Sequence, residues 1–340
     1  MPTTERILYA VLNWGLGHAT RSSVLIRRLC AEGHEVVLAS DGAALDVLRT
    51  NHPDLRAIEL PGYDVRYPGR GGSMARTMWT QIPRFKKVVR AEHRAIDRAI
   101  RDRPVDRIIS DHRYGVHNAR CRSIFMSHQL RLQVPWSRWI EDRVHRVHAA
   151  SYAAFDEIWV PDHEPPDHLS GRLSRIRDQR VRFIGPLSRL RRTTTAVRYD
   201  VCVLLSGPEP QRSILADAVV DALRSTDLRV ALVLGRPQAR APHAPDTWDV
   251  IDYLDADALS DVLSASRLLV SRSGYSTLMD RDVLDLPAIV IPTPGQTEQE
   301  YLARRAAKHR PTVDWMDQDD VADELARHVE RSLGLRGLGA

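Results

Sequence analysis

The sequence predicts an α/β protein with two doubly wound domains, each built on a parallel sheet. Short apolar runs typical of buried strands alternate with amphipathic runs typical of helices in both halves of the chain. A glycine-rich segment follows the first apolar run and leads into the first helix, as in many ligand-binding α/β proteins. The length of 340 residues exceeds what one ordinary core holds, which favours two domains.

The first half alternates predicted strands with predicted helices. Strands are expected at residues 7–12, 35–39, 55–60, 107–110, 123–127, 157–160 and 181–184. Helices are expected at residues 22–29, 42–50, 73–101 and 135–153, the third of them broken by Pro83.

The second half repeats this pattern. Strands are expected at residues 201–205, 230–234, 250–253, 268–270 and 288–291, and a helix at 321–333 closes the chain. Between the halves, residues 186–199 are basic and then rich in threonine, with little hydrophobic periodicity, which is typical of a linker. We therefore predict an N-terminal domain at 1–190, a linker at 191–199, a C-terminal domain at 200–320 and a terminal helical segment at 321–340.

The net charge of +5 conceals halves of opposite sign. Residues 1–192 carry 33 Lys and Arg against 21 Asp and Glu, a balance of +12, and the rest of the chain has a balance of −7. The basic half is expected to attract an anionic partner such as a membrane surface, a phosphorylated acceptor or nucleic acid. The alternative is that most of these arginines are solvated surface residues.

The composition, 43% hydrophobic and 27% charged, is typical of a soluble globular protein. Cys30, Cys121 and Cys202 are isolated, which favours small core residues in a reducing compartment over disulfides or metal ligands. The N-terminus passes directly into a strand, and no apolar run is long enough to span a membrane. We therefore expect a cytoplasmic protein.

The segment at residues 13–21 is the most informative of the chain. Gly15 and Gly17 precede His18 where a strand gives way to a helix. Backbone N–H groups at such a turn can approach a ligand, and an imidazole can act as a base near neutral pH. The segment departs from the dinucleotide fingerprint G-x-G-x-x-G because Thr20 stands where the third glycine is required. The alternative is a tight turn with a surface histidine.

Three polar loops follow strands of the second half, at residues 206–212, 271–277 and 292–300. Small and hydroxyl residues at a helix N-terminus leave its N–H groups available to a phosphate, and Asp280 lies about one turn into the helix, within reach of a ribose. Each loop by itself could be an ordinary capped turn. The residues expected to contact a nucleotide are Gly17, Ser206, Gly207, Arg212, Ser273, Gly274, Tyr275, Ser276, Asp280, Glu298 and Gln299.

The second half resembles the C-terminal domain of MurG-like glycosyltransferases, the family of the peptidoglycan GlcNAc transferase. The matching residues are Ser271-Arg272-Ser273-Gly274, Thr277, Asp280, Leu286-Pro287-Ala288, Pro292, Gln299 and Tyr301. The first half resembles the N-terminal domain of the same group through Gly15-Leu16-Gly17-His18. Segments 13–21 and 206–212 differ from those of the peptidoglycan enzyme, so the chain looks like a separate bacterial branch of the group.

The resemblance implies the GT-B fold, in which two Rossmann-like domains face a central cleft, with the acceptor on the first domain and the nucleotide sugar on the second. It also implies that the C-terminal helix packs back toward the N-terminal domain. The activity implied is inverting, metal-independent transfer from a nucleotide sugar, UDP by default, without a further cofactor. Asp280 stands at the position of the family's ribose-binding glutamate, and Gln299 at that of a donor-sugar glutamine. Glu300 replaces a second glutamine, which leaves the sugar open.

Inverting transfer needs a general base for the acceptor hydroxyl and positive charge near the leaving diphosphate. We predict His18 as the base and Asp111 as the carboxylate that orients it, because a strand ending at Asp111 could lie beside the first loop in a parallel sheet. Helix N-termini and Arg212 are expected to stabilise the diphosphate. The competing candidates for the base are His112, His117 and His128.

The acceptor is expected to be a glycan, a lipid or a small molecule with a hydroxyl group, and a lipid-linked or cell-envelope acceptor is one candidate. Residues 78–87 mix aromatic and basic side chains, and Trp136 and Trp139 add to them. Such a segment is typical of peripheral contact with an anionic membrane. The alternative is that these aromatic residues anchor a helix on the sheet.

Three other functions stay open. A UDP-sugar hydrolase or epimerase would use the same donor loops. A non-enzymatic nucleic-acid or membrane-binding protein would explain the basic half but not the phosphate-type loops of the acidic half. A dehydrogenase is disfavoured, because no acidic residue stands in a convincing context at the strand end expected about twenty residues after the first loop; Asp41 is the nearest candidate.

Overall fold

The computed structural model describes residues 4–14, 16–64, 74–133, 138–236 and 242–335. Contacts divide the chain into two compact units, residues 1–189 and 190–340. Each unit contains one parallel sheet whose strands are connected mostly by helices. The predicted fold class, two doubly wound α/β domains, is confirmed.

The first unit is built on seven strands. They are β1 (Arg6–Val11), β2 (Glu35–Ser40), β3 (Ala57–Glu59), β4 (Arg107–Asp111), β5 (Arg122–Met126), β6 (Glu157–Val160) and β7 (Val181–Phe183). The helices are α1 (Leu16–Ala31), α2 (Gly42–Asn51), α3 (Met74–Asp102) and α4 (Arg138–Ser151), with a 3₁₀ turn at Gly171–Leu173. All strands are parallel, in the order β3-β2-β1-β4-β5-β6-β7.

The second unit is built on six strands. They are β8 (Tyr199–Leu204), β9 (Val230–Val233), β10 (Asp249–Ile251), β11 (Ser266–Ser271), β12 (Ala288–Val290) and β13 (Val313–Trp315). The helices are α5 (Gln211–Leu223), α6 (Ala256–Ser264), α7 (Tyr275–Leu284), α8 (Thr297–His309) and α9 (Val321–Leu333), with a 3₁₀ turn at Gln318–Asp320. The order β10-β9-β8-β11-β12-β13 is that of a Rossmann sheet.

The strands are nearly continuous apolar runs because helices cover both faces of each sheet. In the first unit, α1 and α2 pack on one face through residues such as Ile26 and Leu48, and α3 packs on the other through Ile96 and Ile100. The carboxyl ends of the central strands therefore lie side by side at one edge, where a ligand can reach the loops that follow them.

Helix α1 begins earlier than the sequence analysis expects. It starts at Leu16 instead of Ser22, so that most of the predicted glycine loop is the first turn of a helix. The sequence between these residues contains no proline, and the only glycine, Gly17, lies close to the helix start, where a weak helix former is tolerated. Gly15 lies outside the described residues.

The expected break at Pro83 is wrong, because α3 runs through it from Met74 to Asp102. A proline inside a helix costs about 3 kcal/mol. Here the buried face continues along the same helix through Gln81, Glu92 and Ile96, and this packing offsets the lost hydrogen bond.

The second core is formed by the sheet together with α5 and α9. Leu215, Val219, Val321, Leu325 and Val329 contribute to it, and each is at least nine-tenths buried. The apolar face of α9 therefore lies in the second unit. Packing of the terminal segment against the first unit remains a prediction.

The predicted linker contains neither helix nor strand from residue 191 to residue 198. Two of its backbone N–H groups bind serine side chains of α6: Arg191 N donates to Ser260 Oγ at 3.2 Å, and Thr193 N donates to Ser264 Oγ at 3.0 Å. No helix in the described ranges combines the length and the apolar character that crossing a bilayer requires.

Candidate active site

The first candidate cluster lies at the carboxyl ends of β1 and β4, which are neighbours in the sheet. Val11, the last residue of β1, pairs with Asp111, the last residue of β4. The helix that follows β1 begins five residues after Val11 and carries His18 in its first turn. The structure therefore brings the two predicted catalytic residues together.

The contact between them is partly buried and has the length of a hydrogen bond. His18 Nδ1 lies 3.1 Å from Asp111 Oδ1, and the exposed fraction is 15% for the imidazole and 0% for the carboxylate. This geometry is that of a histidine whose orientation is fixed by a carboxylate, and it leaves Nε2 as the nitrogen that could serve a substrate. The catalytic roles of both residues remain predictions.

Two more side chains of α1 bind the same carboxylate. Arg21 contacts both oxygens of Asp111, with its Nε 3.0 Å from Oδ2, and Ser22 Oγ donates to Oδ2 at 2.9 Å. The spacing of His18, Arg21 and Ser22 is i, i+3, i+4, which places all three on one face of a helix. Asp111 is thus bound by three side chains of α1.

The charges of this cluster shift the pKa values of its members. Burial lowers the pKa of His18 below its usual value of 6.5, Arg21 lowers it further, and Asp111 opposes both. Burial acts to raise the pKa of Asp111, but Arg21 and His18 outweigh burial and lower it. At neutral pH, His18 is therefore an uncharged imidazole beside an ionised carboxylate.

The competing histidines lie in different surroundings. His112 packs edge-on against His18, with ring centroids 5.4 Å apart, and its φ of 62° is in the left-handed region, which is uncommon outside glycine. His128 Nδ1 lies 3.2 Å from Arg21 Nη1. His117 pairs instead with His93, at a centroid distance of 4.6 Å.

The same residues are also candidates for binding a metal ion. His18, Asp111 and His112 each offer one ligand atom, and these atoms lie within 4.8 Å of one another. However, both oxygens of Asp111 already bind the guanidinium of Arg21, whose positive charge would repel a divalent ion. The cluster therefore fits proton transfer better than metal binding.

A second buried network fixes the strand ends around this cluster. Arg113 is fully buried and donates to Asp41 Oδ1 at 2.7 Å, to Glu92 Oε1 at 2.6 Å and to Pro61 O at 2.6 Å. Asn13 Nδ2 also donates to Asp41, at 3.2 Å. Asp41 thus holds loops together. This role argues against Asp41 as the ribose-binding acidic residue of a dinucleotide site.

The second candidate cluster lies in the other unit, where the three predicted donor loops converge. Ser271 of β11 pairs with Leu204 of β8 and Val290 of β12, so the loops after these strands leave the same edge of the sheet. Ser273 Oγ donates to Gln299 O at 2.8 Å, which joins the second loop to the third.

Arg272 joins all three loops. Its guanidinium donates to Gln211 O at 2.7 Å and to Pro292 O at 3.1 Å, and its exposed fraction is 1%. No carboxylate among the described residues pairs with it. Burial lowers the pKa of Arg272 to about 10, which still leaves it charged at pH 7.

The N-terminus of α7 has open space in front of it. Gly274 is the residue before the helix, and a Cβ built on it would meet only Thr277 Oγ1, at 3.9 Å. Ser276 is half-buried, whereas Tyr275 and Ser273 are buried. The space that a side chain at position 274 would occupy is therefore open among the described residues, and phosphate binding at this helix end remains a prediction.

Two arginines lie at the first donor loop: Arg212 belongs to it, and Arg236, which follows β9, contacts it. Arg212 Nε donates to Gly207 O at 3.1 Å, while its Nη1 is buried and has no hydrogen-bond partner among the described residues. Arg236, which was not predicted as a site residue, donates to Glu209 Oε1 at 2.8 Å. Burial, and then Arg236, lower the pKa of Arg212.

The third donor loop is held by the residue expected to bind the sugar. Gln299 Oε1 accepts from Thr293 N at 3.0 Å, and Gln299 Nε2 donates to Gln296 Oε1 at 2.6 Å. The hydroxyl of Thr293 is buried and has no partner in the described ranges. The remaining predicted donor residues, Gly17 in α1 and Ser206, Asp280 and Glu298 in the second unit, are all half-buried.

Two sequence families match the chain. Residues 5–126 match the family described as "Glycosyl transferase family 1", and residues 217–333 match the "Glycosyltransferase family 28 C-terminal domain". The first match contains His18 and Asp111, and the second contains the loops at 271–277 and 292–300.

Individual relatives agree with the family matches. An uncharacterized glycosyltransferase of Methanosarcina acetivorans is 24% identical over 324 residues, which cover 87% of this chain and 79% of that protein. A UDP-N-acetylglucosamine–N-acetylmuramyl-(pentapeptide) pyrophosphoryl-undecaprenol N-acetylglucosamine transferase of Lacticaseibacillus casei is 30% identical over 122 residues, 33% of each chain.

Among solved structures, the calicheamicin glycosyltransferase CalG4 superposes with a TM-score of 0.71 at 16% identity, covering 99% of this chain and 91% of that one. This likeness shows the fold, GT-B. The two family matches and the relative from Methanosarcina acetivorans show that the protein is a glycosyltransferase.

Proposed function

We propose that the protein is a MurG-like, inverting and metal-independent transferase that moves a hexose or N-acetylhexosamine from a nucleoside-diphosphate sugar to a hydroxyl acceptor. The observation that carries the proposal is the distance of 3.1 Å between His18 Nδ1 and Asp111 Oδ1, which is a hydrogen bond when Nδ1 carries the proton. A histidine held in this way can present Nε2 to a hydroxyl as a general base.

In the proposed step, the acceptor oxygen attacks the anomeric carbon of the sugar while its proton passes to His18 Nε2. The bond between the anomeric carbon and the diphosphate oxygen breaks, and the nucleoside diphosphate leaves with the electron pair. A single in-line displacement inverts the anomeric centre. Asp111 stabilises the imidazolium that forms, and the lowered pKa of His18 supports the role because a base must start uncharged.

The donor is proposed to bind at the converging loops of the second unit. The open N-terminus of α7 at Gly274 and the unpartnered Nη1 of Arg212 support a diphosphate there. The buried charge of Arg272 adds to the positive potential, so the leaving group needs no metal ion. Asp280 is proposed to bind the ribose, and Glu298 and Gln299 the sugar.

UDP and N-acetylglucosamine are the first choices for the donor, because the name of the relative from Lacticaseibacillus casei specifies UDP-N-acetylglucosamine. That name also specifies an acceptor linked to pyrophosphoryl-undecaprenol, which supports a lipid-linked acceptor here. Trp14, four residues before His18 and 41% exposed, offers an aromatic surface to an acceptor.

A thermal-shift screen of nucleoside diphosphates and their sugars tests the donor, because a ligand that binds only the folded state stabilises it. UDP or a UDP-sugar is expected to give the largest shift. Product analysis with donor alone and with donor plus a lipid-linked acceptor tests the reaction. Free sugar or an isomerised donor formed without acceptor would instead identify a hydrolase or an epimerase.

Peripheral contact with an anionic membrane is proposed for α4. Trp139 and Val147 are 68% and 66% exposed, and they share a face with the exposed Arg143 and Arg146. The earlier candidate segment at 78–87 contributes less, because Phe85 packs against Tyr63. Trp136 lies outside the described residues.

Co-sedimentation with liposomes tests this contact. Vesicles containing an anionic lipid are expected to bind the protein at low salt and to release it as salt screens the arginines. The variant Trp139→Ala is expected to bind several-fold more weakly. Equal binding to neutral vesicles, or none at low salt, would contradict the proposal.

A further inference from the structure

The Nδ1 atom of His18 has two close neighbours that favour opposite protonation states of this atom. Asp111 Oδ1, at 3.1 Å, only accepts a hydrogen bond, whereas Arg21 Nη2, at 2.8 Å, only donates one. A proton on Nδ1 satisfies Asp111, and a lone pair on Nδ1 satisfies Arg21. Because a neutral imidazole carries one proton, the choice at Nδ1 also decides what Nε2 carries.

Only one of these tautomers can act as a base at Nε2. When Nδ1 donates to Asp111, Nε2 has a free lone pair and can accept the proton of a hydroxyl. When Arg21 donates to Nδ1, the proton lies on Nε2, and the imidazole can only donate there. Arg21 therefore competes directly with the tautomer that the proposed function needs.

We propose that Arg21 is a positioning residue of this site, which acts on His18 through Nδ1 and through its share of the Asp111 carboxylate. In the empty site, Arg21 favours the tautomer with the proton on Nε2. An acceptor hydroxyl that donates to Nε2 selects the other tautomer, so that the base forms when the acceptor arrives. The inference rests on the proposed function, because it concerns the same base.

The same guanidinium controls the charge of the imidazole. A protonated His18 would place a second positive charge 2.8 Å from Arg21. Among the described residues, the other titratable groups around His18 are Asp111 from β4, His112 after β4 and His128 after β5, with Tyr9 of β1 next to Asp111 and Arg21. Within this group, Asp111 is the one anion, and Arg21 already binds both of its oxygens.

The variant Arg21→Met tests the proposal, because it removes the guanidinium and keeps an unbranched side chain. Titration of the His18 imidazole by ¹⁵N NMR, assigned with His18→Gln, is expected to show a pKa raised by about one unit or more. The Nδ1–H tautomer is expected to become the main neutral form. If transfer is measurable, the acid limb of the kcat/KM profile moves to higher pH by the same amount.

The conservative variant Arg21→Lys keeps a positive charge but cannot bind both oxygens of Asp111 and also reach Nδ1. It is expected to shift the pKa of His18 by less than half as much as Arg21→Met does. The population of the Nδ1–H tautomer is still expected to increase. The double variant Arg21→Met, Asp111→Asn covers the case in which an unpaired buried carboxylate prevents folding. In the double variant, the pKa of His18 is expected to be lower than in Arg21→Met. If Arg21→Met does not fold, the comparison is made with Arg21→Lys.

The matched control is Arg103→Met. Arg103 also pairs with a carboxylate, Glu35, at 2.6 Å, but at the amino ends of the strands and on the surface. This variant is expected to leave the titration and tautomer of His18 unchanged. The proposal would be overturned if the pKa and the tautomer of His18 were unchanged in Arg21→Met. If that variant does not fold, the same result in Arg21→Lys would overturn it.

The NMR readout uses the protein without donor or acceptor. If the protein transfers no sugar but His18 responds to Arg21 as described, the proposed function fails and the inference about Arg21 stands. If transfer is confirmed and His18 does not respond, the inference alone fails.

Discussion

Asp111 is fully buried, and its carboxylate is bound by three side chains of one helix, His18, Arg21 and Ser22. A buried carboxylate is stable only when its charge is compensated by hydrogen bonds or by a cation. Here both forms of compensation come from the first two turns of α1. The position of the candidate base is therefore tied to the start of that helix.

Replacement of His18 by alanine is expected to reduce the rate of transfer by about 10²–10⁴-fold, the usual contribution of a general base. The affinity for UDP is expected to change less than twofold, because the proposed donor loops lie in the other unit. Steady-state kinetics and calorimetric titration with UDP measure the two effects.

The matched control for His18→Ala is His117→Ala, since His117 packs against His93 and Phe155 instead of the candidate base. This variant is expected to keep the wild-type rate. Retention of more than a tenth of the rate in His18→Ala would exclude His18 as the base.

The pH dependence follows from the lowered pKa of His18. Burial and Arg21 lower it below 6.5, so the imidazole is uncharged throughout the neutral range. The value of kcat/KM is expected to rise with pH through an acid limb centred below pH 6.5 and to level off at higher pH. A pH–rate profile with an acid limb above pH 7 would contradict this assignment.

At this scale, the sequence predicted His18 and Asp111 because the carboxyl ends of neighbouring parallel strands meet at one edge. Arg21 and Ser22 were missed because the helix was expected to begin at Ser22, which left Arg21 in a loop. With the helix starting at Leu16, the spacing H-x-x-R-S is itself the signal. Arg113 gave no such signal, because its partners are far apart in the chain.

The open helix end at Gly274 allows a test at the level of one element. Gly274→Ala is expected to lower the affinity for UDP at least tenfold, because the added methyl group occupies the space in front of the α7 N-terminus. Its effect on stability is expected to stay within about 1 kcal/mol, since its φ of −63° suits alanine and only the helix-capping preference is lost. Chemical denaturation and UDP titration measure both.

The matched control for Gly274→Ala is Gly33→Ala. Gly33 has a φ of +88° and lies between α1 and β2, with nothing within 4 Å of a Cβ at that position. It is expected to cost about 1 kcal/mol through backbone strain while leaving UDP affinity unchanged. Wild-type UDP affinity in Gly274→Ala would exclude a phosphate at this helix end.

The strands of five or six mostly buried residues were predictable, because a parallel strand covered by helices on both faces is a nearly continuous apolar run. The edge strand β13 was missed because it is only three residues long and contains Asp314. The break at Pro83 was predicted wrongly, because local propensity was outweighed by packing along the rest of α3, which cannot be judged from the proline alone.

At the scale of the whole molecule, each of the two sheets has a buried arginine shortly after the strand that neighbours its first strand. Arg113 follows β4 and Arg272 follows β11, each the neighbour of the first strand of its unit. Arg113 is paired with Asp41 and Glu92, whereas Arg272 binds backbone carbonyls and Gln318 instead of a carboxylate. The first unit therefore neutralises its arginine, and the second keeps a positive charge that suits an anionic ligand.

Because each unit has its own core, ligand binding is expected to stabilise them unequally. UDP at 100 times its Kd is expected to add about 2.7 kcal/mol to the unfolding free energy of the second unit only. Denaturation monitored through isotope-labelled valines of both units, with and without UDP, measures this difference. An equal gain in both units would contradict a donor site built from one unit.

Two doubly wound domains could be predicted from alternation and length, because both are properties of the whole chain. The charge difference between the halves was visible in the composition as well. Which arginines remain without a carboxylate could not be predicted, because this depends on contacts such as that of Arg272 with Gln211 and Pro292, which are distant in sequence.

Gln299 binds Thr293 with the oxygen and Gln296 with the nitrogen of its side-chain amide, which keeps one N–H and one lone pair for other contacts. A sugar hydroxyl that binds this amide would therefore also affect the turn at Gly295, because the same side chain holds that turn. A change of donor specificity is then a change in the geometry of residues 292–296 as much as in the side chain at 299. Directed evolution toward a different hexose should accordingly collect substitutions in that turn.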